Sequence, residues 1–356
     1  MAMTTPDPRW IRPTNPGWVD RVAWQVVRDE RDTLFVKVLG LASLLLIPSA
    51  IGLFLAPTWL TLALAVPYLY LVYGGFGGRY MLLVHALCHR PAFNKGWEWL
   101  FPYTTWVLGP LFGSTPTSFF AHHMGMHHPE NNLESDLSTT LPYQRDRFGH
   151  FVHYWARFFV FGLIHLVRYF RLRHRDKLLR SLMIGEVAWF SAVALGLWVD
   201  WAATLVVLIV PYCLIRWFMM CGNFAQHAFV DVDDPGNAYR NSTCLTNTRY
   251  NHKCYNDGYH IVHHLKPALH WTEMATWYEE RVDEFARQDA VVFSGIRNNQ
   301  QVWVLLMTGR YDVLAAHLVD FHGRSLDERI AFLKDRVRRR RGEPRGFLEL
   351  EQPLAA

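Results

Sequence analysis

Residues 34–56 read LFVKVLGLASLLLIPSAIGLFLA and carry a single charged side chain, Lys37. A helix needs about 20 apolar residues to cross the hydrocarbon core of a bilayer. The stretch therefore predicts a membrane-spanning helix over about 34–55. A second apolar stretch at 58–78, TWLTLALAVPYLYLVYGGFGG, begins after a very short turn. We predict a second span over about 58–75, which forms a tight hairpin with the first.

A second pair of apolar stretches follows later in the chain. Spans are predicted over about 182–199 and 201–221, joined by the residues VDW at 199–201. Between the two hairpins, residues 96–113 read GWEWLFPYTTWVLGPLFG, which is apolar but short and interrupted by prolines. We predict an interfacial or partly embedded helix there. Four spans place both ends of the chain on the same side of the membrane.

The basic residues predict which side that is. The net charge is +5, and the mean hydropathy of +0.01 is an average over apolar spans and polar loops. Neither hairpin turn contains Lys or Arg, whereas residues 1–32, 145–180 and 336–341 are rich in arginine. Positively charged loops stay on the cytoplasmic side, so both termini are predicted to be cytoplasmic. The basic run 336–341 is expected to lie on anionic headgroups or to be disordered, and nucleic-acid binding fits a spanning protein poorly.

The tract after residue 228 is polar in character. Helical patterns occupy 272–290 and 302–320. The second is apolar, but Arg310 and Asp312 lie in its middle, and charges are costly at the centre of a bilayer. It is therefore predicted not to span. The five cysteines contain no CxxC pair, which predicts reduced thiols rather than a disulfide framework.

Histidine is concentrated in four short segments. They are HALCH at 85–89, HHMGMHH at 122–128, NFAQH at 223–227 and HIVHH at 260–264, and they hold ten of the 18 histidines. Each segment lies outside a predicted span, on the predicted cytoplasmic side. Residues four apart share one face of a helix. That spacing relates His85 to His89, His123 to His127, Asn223 to His227, and His260 to His264.

The number of histidines predicts a site for two metals. Adjacent histidines such as His127 and His128 diverge by about 100° on a helix, so each can serve one of two neighbouring metals. Helical bundles build dimetal sites from side chains on facing helices. Four ligands complete a zinc site, and nine or ten exceed that need. Imidazole suits zinc, copper, iron and nickel, and the spacing alone does not choose among them.

Three of these segments resemble the histidine boxes of the membrane fatty acid desaturase family. The boxes read His85-x-x-x-His89, His123-x-x-x-His127-His128 and His260-x-x-His263-His264, and the resemblance covers about residues 34–275. NFAQH is similar to the Asn-x-x-x-His that follows the fourth span in stearoyl-CoA-type desaturases. The resemblance implies two iron ions held by His85, His89, His123, His127, His128, His227, His260, His263 and His264, with Asn223 acting through a water. His122 remains an alternative to His123.

The resemblance also implies a fold and an activity. The fold is all-α and integral to the membrane, with about four transmembrane helices in two hairpins and a cytoplasmic helical cap that holds the dimetal site. The domains are a cytoplasmic segment at 1–32, a desaturase domain at 33–280, and a cytoplasmic helical region with a basic tail at 281–356. The enzyme would use O2 to introduce a cis double bond into a fatty acyl chain, as an acyl lipid or acyl-CoA. The His-Pro-Gly-Gly signature of a fused cytochrome is missing, so a ferredoxin, or a cytochrome with its reductase, is expected to supply electrons.

Two other functions remain open from the sequence. Alkane, sterol and carotenoid hydroxylases resemble this ligand set and insert oxygen instead. A metal transporter needs polar ligands inside the spans, and Glu186 is the candidate there. Polar residues beside the boxes are expected to orient the histidines: Glu130, Asn131, Asn132, Glu134, Asp136, Asn256 and Asp257. Aromatic residues are candidates to line the path of the lipid chain: Trp106, Phe119, Phe120, Trp217 and Phe218.

Overall fold

The protein is mostly helical. A computed structural model describes residues 5–340, 346 and 347. The α-helices are α1 (Trp18–Val26), α2 (Thr33–Leu55), α3 (Thr58–Ala63), α4 (Ala65–Tyr70), α5 (Gly78–His89), α6 (Leu100–Tyr103), α7 (Gly109–Leu111), α8 (Ser118–His122), α9 (His128–Glu130), α10 (Phe148–Leu172), α11 (Asp176–Val199), α12 (Trp201–Thr204), α13 (Val210–Gln226), α14 (Arg249–Lys253), α15 (His260–Leu265), α16 (Met274–Glu279), α17 (Val282–Arg287), α18 (Asn299–Met307), α19 (Tyr311–His317) and α20 (Leu326–Arg336). Four π-helical turns cover Leu71–Gly77, Thr104–Leu108, His123–His127 and Leu205–Ile209, and two 3-10 turns cover Glu30–Asp32 and Trp271–Glu273.

Among the residues that the structure describes, three helices are long and apolar enough to cross a membrane. They run over Glu30–Leu55, Asp176–Val199 and Trp201–Gln226. They coincide with the first, third and fourth spans predicted from the sequence. The chain is therefore a membrane protein.

The second predicted span is interrupted. Residues 58–75 divide among α3, α4 and the π-helical turn that begins at Leu71, with a break at Leu64. Pro67 follows that break, and a proline cannot donate the backbone hydrogen bond that would continue α3 into α4. The expected hairpin forms, because Thr61 Oγ1 donates to the carbonyl of Leu53 at 2.9 Å. That this segment crosses the membrane as a fourth span stays a prediction.

Two compact units make up the chain. Unit 2 comprises Trp10–His123 and Asp176–Arg216. It contains the second predicted hairpin turn, where the Asp200 side chain accepts a hydrogen bond from Ala203 N at 2.8 Å and so caps α12. It also contains the segment 96–113, which forms helix from α6 through a π-helical turn to α7. The helical character predicted for that segment is confirmed.

Unit 1 comprises the residues up to Arg9, Met124–Arg175 and the residues from Trp217 onward. It contains a feature that the all-α prediction missed, a two-stranded parallel sheet. Strands β1 (Thr243–Thr246) and β2 (Val291–Ser294) pair with Thr243 opposite Val291. Alternate residues of a strand face opposite sides. Leu245 and Phe293 accordingly pack with α18 to α20, whereas Cys244 and Val292 pack with α15 to α17.

The helical patterns predicted in the C-terminal tract are confirmed. The first pattern forms α16 and α17, and the second forms α18 and α19. The second pattern breaks where its charges lie, because α18 ends at Met307 and the exposed Arg310 and Asp312 form an ion pair at 2.9 Å. Neither half is long enough to cross a bilayer. The domain boundary predicted at residue 280 lies between α16 and α17 and stays a prediction.

The start of the basic run is held by ion pairs. Arg336 pairs with Asp231 at 3.4 Å, Arg338 with Asp233, and Arg340 with Glu134. The expectation of disorder is therefore wrong for residues 336–340, because acidic groups of unit 1 neutralise them. The rest of the tail, 341–345 and 348–356, and residues 1–4 lie outside the described residues.

Arg145 holds several loops of unit 1 together. The sequence places it in the arginine-rich segment 145–180, and its side chain is fully buried. Its guanidinium donates to the carbonyls of Ala228 at 2.7 Å and Arg336 at 2.9 Å. It also donates to carbonyls of Thr140, Tyr143, Val230 and Arg338. This one cation joins the loop after His227 to the C-terminal run.

Candidate metal centre

Three histidines of unit 2 converge on one point. His85 and His89 lie one turn apart on α5, whose other face is buried through Leu83 and Leu87. His123 directly follows α8. The ring centroids are 4.5 Å apart for His85 and His123, and 5.1 Å for each of the other two pairs. The Nε2 atoms of His89 and His123 lie 3.0 Å apart. We call these three residues the trio.

The structure separates the two candidates for the start of the second box. His123 begins the π-helical turn His123–His127 and joins the trio, whereas His122 is the last residue of α8 and lies outside it. One residue of displacement turns a helical side chain by about 100°. His123 therefore lies with two other box histidines, and its role as the ligand in place of His122 stays a prediction.

Four histidines of unit 1 form a second group. His127, His227, His260 and His264 place ring nitrogens within 4.8 Å of one another. The Nε2 atoms of His227 and His260 are 3.3 Å apart, and those of His260 and His264 are 3.1 Å apart. His260 and His264 share a face of α15, and His227 directly follows α13. We call these four residues the quartet.

The remaining two box histidines, His128 and His263, form a pair in unit 1. Their Nε2 atoms lie 3.0 Å apart and their ring centroids 4.9 Å apart. His127 belongs to the quartet and its neighbour His128 to the pair, and His264 and His263 are divided in the same way. Adjacent histidines therefore join different groups, as the helical step predicts.

Hydrogen bonds at the other ring nitrogen fix two members of the quartet. His127 Nδ1 donates to Asp136 Oδ2 at 2.7 Å, and His227 Nδ1 donates to the carbonyl of Asn241 at 2.9 Å. Both acceptors require the proton to sit on Nδ1. The Nε2 lone pair of each ring is then directed into the quartet, as in protein sites where a carboxylate or carbonyl orients a metal-binding histidine.

This arrangement fits a metal ion. Burial lowers the pKa of His227 to about 4. Burial also lowers the pKa of His264 far below its ordinary value, and His260, His227 and His127 lower it further. The rings of His227 and His264 are therefore neutral at pH 7, and close Nε2 lone pairs repel unless a cation lies among them. Neutral imidazole is the donor that zinc, copper, iron and nickel accept.

Asp136 is the predicted supporting residue that contacts a box histidine. It is fully buried, and besides His127 it accepts hydrogen bonds from Asn132 N at 2.9 Å and from Ser138 N and Oγ at 2.7 Å each. These donors hold the carboxylate in one orientation. Asn132 contributes indirectly, since its Nδ2 donates to Asn241 Oδ1 at 3.2 Å.

The other polar candidates make the following contacts. Glu130 accepts from the Tyr169 hydroxyl at 2.5 Å and pairs with Arg173 at 3.0 Å. Asn256 donates to the carbonyl of Trp271 at 2.8 Å. Glu134 pairs with an arginine of the basic run, Asp257 accepts from the Tyr250 hydroxyl, and the amide of Asn223 donates to the Tyr154 hydroxyl at 2.7 Å. Sequence reasoning missed Asn241, whose backbone carbonyl and side-chain Oδ1 lie 2.9 and 3.2 Å from His227 Nδ1, because it stands 14 residues after that histidine, outside the histidine boxes.

A cavity of about 260 Å³ lies beside the trio in unit 2. Its wall is mostly apolar and includes Phe101, Trp106, Phe119 and Phe120. The Phe119 ring stacks on His123, with centroids 5.2 Å apart and planes 15° apart. Three of the aromatic residues proposed for the lipid path therefore line this cavity.

The other two aromatic candidates lie in unit 1. Trp217 packs with Phe151, Trp155 and Trp303 in an aromatic core cluster. Phe218 leaves 37% of its surface exposed. Neither residue is among those that line the cavity.

Comparison with known protein families shows to which family the chain belongs. The profile named fatty acid desaturase matches residues 33–295, which include all three histidine boxes and NFAQH. The chain belongs to the fatty acid desaturase family. Membership makes this desaturase-family protein an oxidoreductase acting on fatty acids, and its histidine groups are compatible with a metal site. No curated protein and no solved structure matches the chain.

Proposed function

We propose that the protein is a membrane-bound, O2-dependent di-iron desaturase that introduces a cis double bond into a fatty acyl chain. The observation that carries the proposal is the quartet. Its four close imidazoles, two of them with a fixed tautomer, occur in a chain of the fatty acid desaturase family. Such a donor set has a physical reason only if it holds a metal.

The proposed ligands are nine histidines. Two iron ions are assigned to these nine residues together, as the family resemblance implies. Zinc lacks redox chemistry, and removing hydrogen from an alkyl chain is an oxidation, so a redox-active metal is required. Asn223 is proposed to contribute through a water.

The protein's part in the reaction is binding and orientation. An unactivated CH2 group has no acidic proton, so acid–base groups cannot remove its hydrogen. When bound, the iron pair supplies O2 activation and hydrogen-atom abstraction, the hard chemistry that cofactors carry. Asp136 and the carbonyl of Asn241 hold two histidines in the tautomer that binds metal.

The cavity beside the trio is the proposed binding site of the acyl chain. A water-sized group occupies about 30 Å³, so 260 Å³ has room for roughly nine such groups. A run of roughly nine such groups corresponds to part of a fatty acyl chain. The stacking of Phe119 on His123 places this wall of the cavity directly against a proposed ligand.

The remaining assignments rest on the sequence. Arginine in the loops supports a cytoplasmic location for both termini and the site. The substrate is an acyl lipid or acyl-CoA, surrounded by membrane lipids. A separate ferredoxin, or a cytochrome with its reductase, supplies the electrons.

The test is expression in a host that lacks the product, with double-bond mapping of its fatty acids by mass spectrometry. The expected product is two hydrogens lighter than its precursor. His127→Ala and His263→Ala should each abolish it while the protein still inserts into membranes. The control is His174→Asn, which changes an exposed histidine outside the three groups at a φ of 52° that Asn tolerates.

Two outcomes would contradict the proposal. A product one oxygen heavier than its precursor would identify a hydroxylase. Iron flux into liposomes that contain the purified protein would identify a transporter. Retained activity in either alanine variant would refute the ligand assignment.

A further inference from the structure

Glu186 is a carboxylate within a membrane-spanning helix. It lies in α11, and only 4% of its surface is exposed. Its Oε1 accepts a hydrogen bond from Thr115 Oγ1 at 2.5 Å, and Thr115 Oγ1 lies 2.5 Å from Ser118 Oγ. Ionisable residues inside spans are costly, and where they occur they have a function. The structure joins Glu186 to a hydroxyl network in its own unit.

The turn that contains Thr115 is fitted closely against α11. A Cβ atom on Gly185 would lie 1.9 Å from the carbonyl oxygen of Pro116, so the backbones touch. Thr117 has a φ of 67°, a conformation that strains a β-branched residue. Its Oγ1 donates to the carbonyl of Ser181 at 2.9 Å. Several contacts with one helix therefore maintain a strained turn.

The same turn carries both the cavity wall and one histidine of the trio. Thr115, Thr117 and Phe119 line the cavity. The turn leads into α8 at Ser118, and His123 directly follows that helix. A shift of the turn would therefore move the proposed binding site of the acyl chain and a proposed metal ligand at the same time.

We propose that Glu186 is a positioning residue that sets which carbon atoms of the acyl chain face the trio. It acts through Thr115 and Ser118, which hold the turn in one place. This inference rests on the proposed function. It assigns to Glu186 the position of the double bond, and not the binding of metal.

The test compares three variants of the full-length protein in membranes. Glu186→Leu removes the acceptor, Thr115→Val removes the donor at nearly constant volume, and Glu186→Gln keeps an oxygen that accepts from Thr115. Wild type and Glu186→Gln are expected to make one double-bond isomer. Glu186→Leu and Thr115→Val are expected to spread the double bond over neighbouring carbons. Their turnover should fall by up to about 10²-fold, the loss that follows a misplacement of about 1 Å.

A binding measurement reads the same effect without turnover. The iron-loaded protein, without reductant, is irradiated with a saturated fatty acid that carries a diazirine at mid-chain. Cross-links should map to a narrow set of cavity residues in wild type and Glu186→Gln. They should spread along the wall in Glu186→Leu and Thr115→Val, at unchanged iron content.

The control is Thr204→Val, which removes a hydroxyl that donates to the carbonyl of Asp200 in its own helix at 2.7 Å. It should change neither readout. If the Glu186→Leu protein does not accumulate in membranes, the Thr115→Val protein alone tests the inference. One unchanged isomer and one unchanged cross-link pattern in Thr115→Val would overturn the inference. A hydroxylated product from wild type would refute the proposed function alone, because the position of the hydroxyl group would still report on Glu186.

Discussion

Replacing Asp136 by asparagine tests the quartet directly. The carboxylate accepts from His127 Nδ1 and Asn132 N through one oxygen, and from Ser138 N and Oγ through the other. An amide has only one oxygen, so at least one buried N–H group loses its acceptor in either orientation. If the amide nitrogen faces His127, it donates to Nδ1 and drives the ring proton to Nε2. That tautomer cannot bind a metal through Nε2.

The expected loss follows from the role of such partners. Removing the group that orients a metal-binding histidine costs about 10- to 100-fold in metal affinity, which is about 1.4 to 2.8 kcal/mol. An unsatisfied buried N–H adds about 1 to 3 kcal/mol of destabilisation. The assay is competition between the purified protein and a graded chelator, with retained iron measured per chain. Asp136→Asn should release iron at a 10- to 100-fold lower chelator activity than wild type.

The matched control is Asp233→Asn, which makes the same change at an exposed carboxylate that pairs with Arg338 in unit 1. Exposed ion pairs contribute little, so its iron retention should equal that of wild type. Equal retention in Asp136→Asn, with an unchanged circular dichroism spectrum, would refute the role given to the carboxylate.

Three further changes test the fold and the site. Arg145→Met should lower the free energy of unfolding by more than about 4 kcal/mol, the range found when a buried network loses a charged member. Thermal unfolding in detergent measures this loss. A fall in the melting temperature of only a few degrees would contradict the role of the guanidinium. Gly185→Ala should destabilise the fold by about 1 to 3 kcal/mol through overpacking, because its Cβ would lie 1.9 Å from the Pro116 carbonyl oxygen. The control Gly40→Ala should not destabilise it, because nothing lies within 4 Å of that Cβ. Equal stability of the two variants would contradict this prediction. Chelation should lower the thermal stability and iron should restore it, by about 2.7 kcal/mol at a concentration 100 times the dissociation constant; no response to iron in thermal unfolding would argue against a folded metal site.

The parts of the fold that local sequence determines were predictable. Three spans follow from apolar length alone, and the i, i+4 spacing placed His85 with His89 and His260 with His264. The second span was harder, because Pro67 and the glycines of the π-helical turn act on the backbone within an apolar stretch. Apolar composition does not report such breaks.

Long-range contacts were not predictable from the sequence. Strands β1 and β2 have only four residues each, TCLT and VVFS, and pair across 44 intervening residues, from Thr246 to Val291. Arg145 has the same local sequence character as the exposed arginines around it, although it is fully buried. Asn241 contacts His227 Nδ1 through its backbone carbonyl and its Oδ1, from a position outside the histidine boxes. Only the tertiary structure distinguishes these residues from their neighbours.

The central claim is that the protein removes two hydrogens from an acyl chain and leaves no oxygen on it. The most direct measurement is a reaction of the iron-loaded protein, supplied with a two-electron reductant, with a saturated acyl substrate under isotopically labelled oxygen, followed by mass spectrometry of lipid and water. The expected acyl product lacks two hydrogens, with the oxygen label found only in water. Oxygen label in the acyl product, with both neighbouring carbons still saturated, would contradict the central claim.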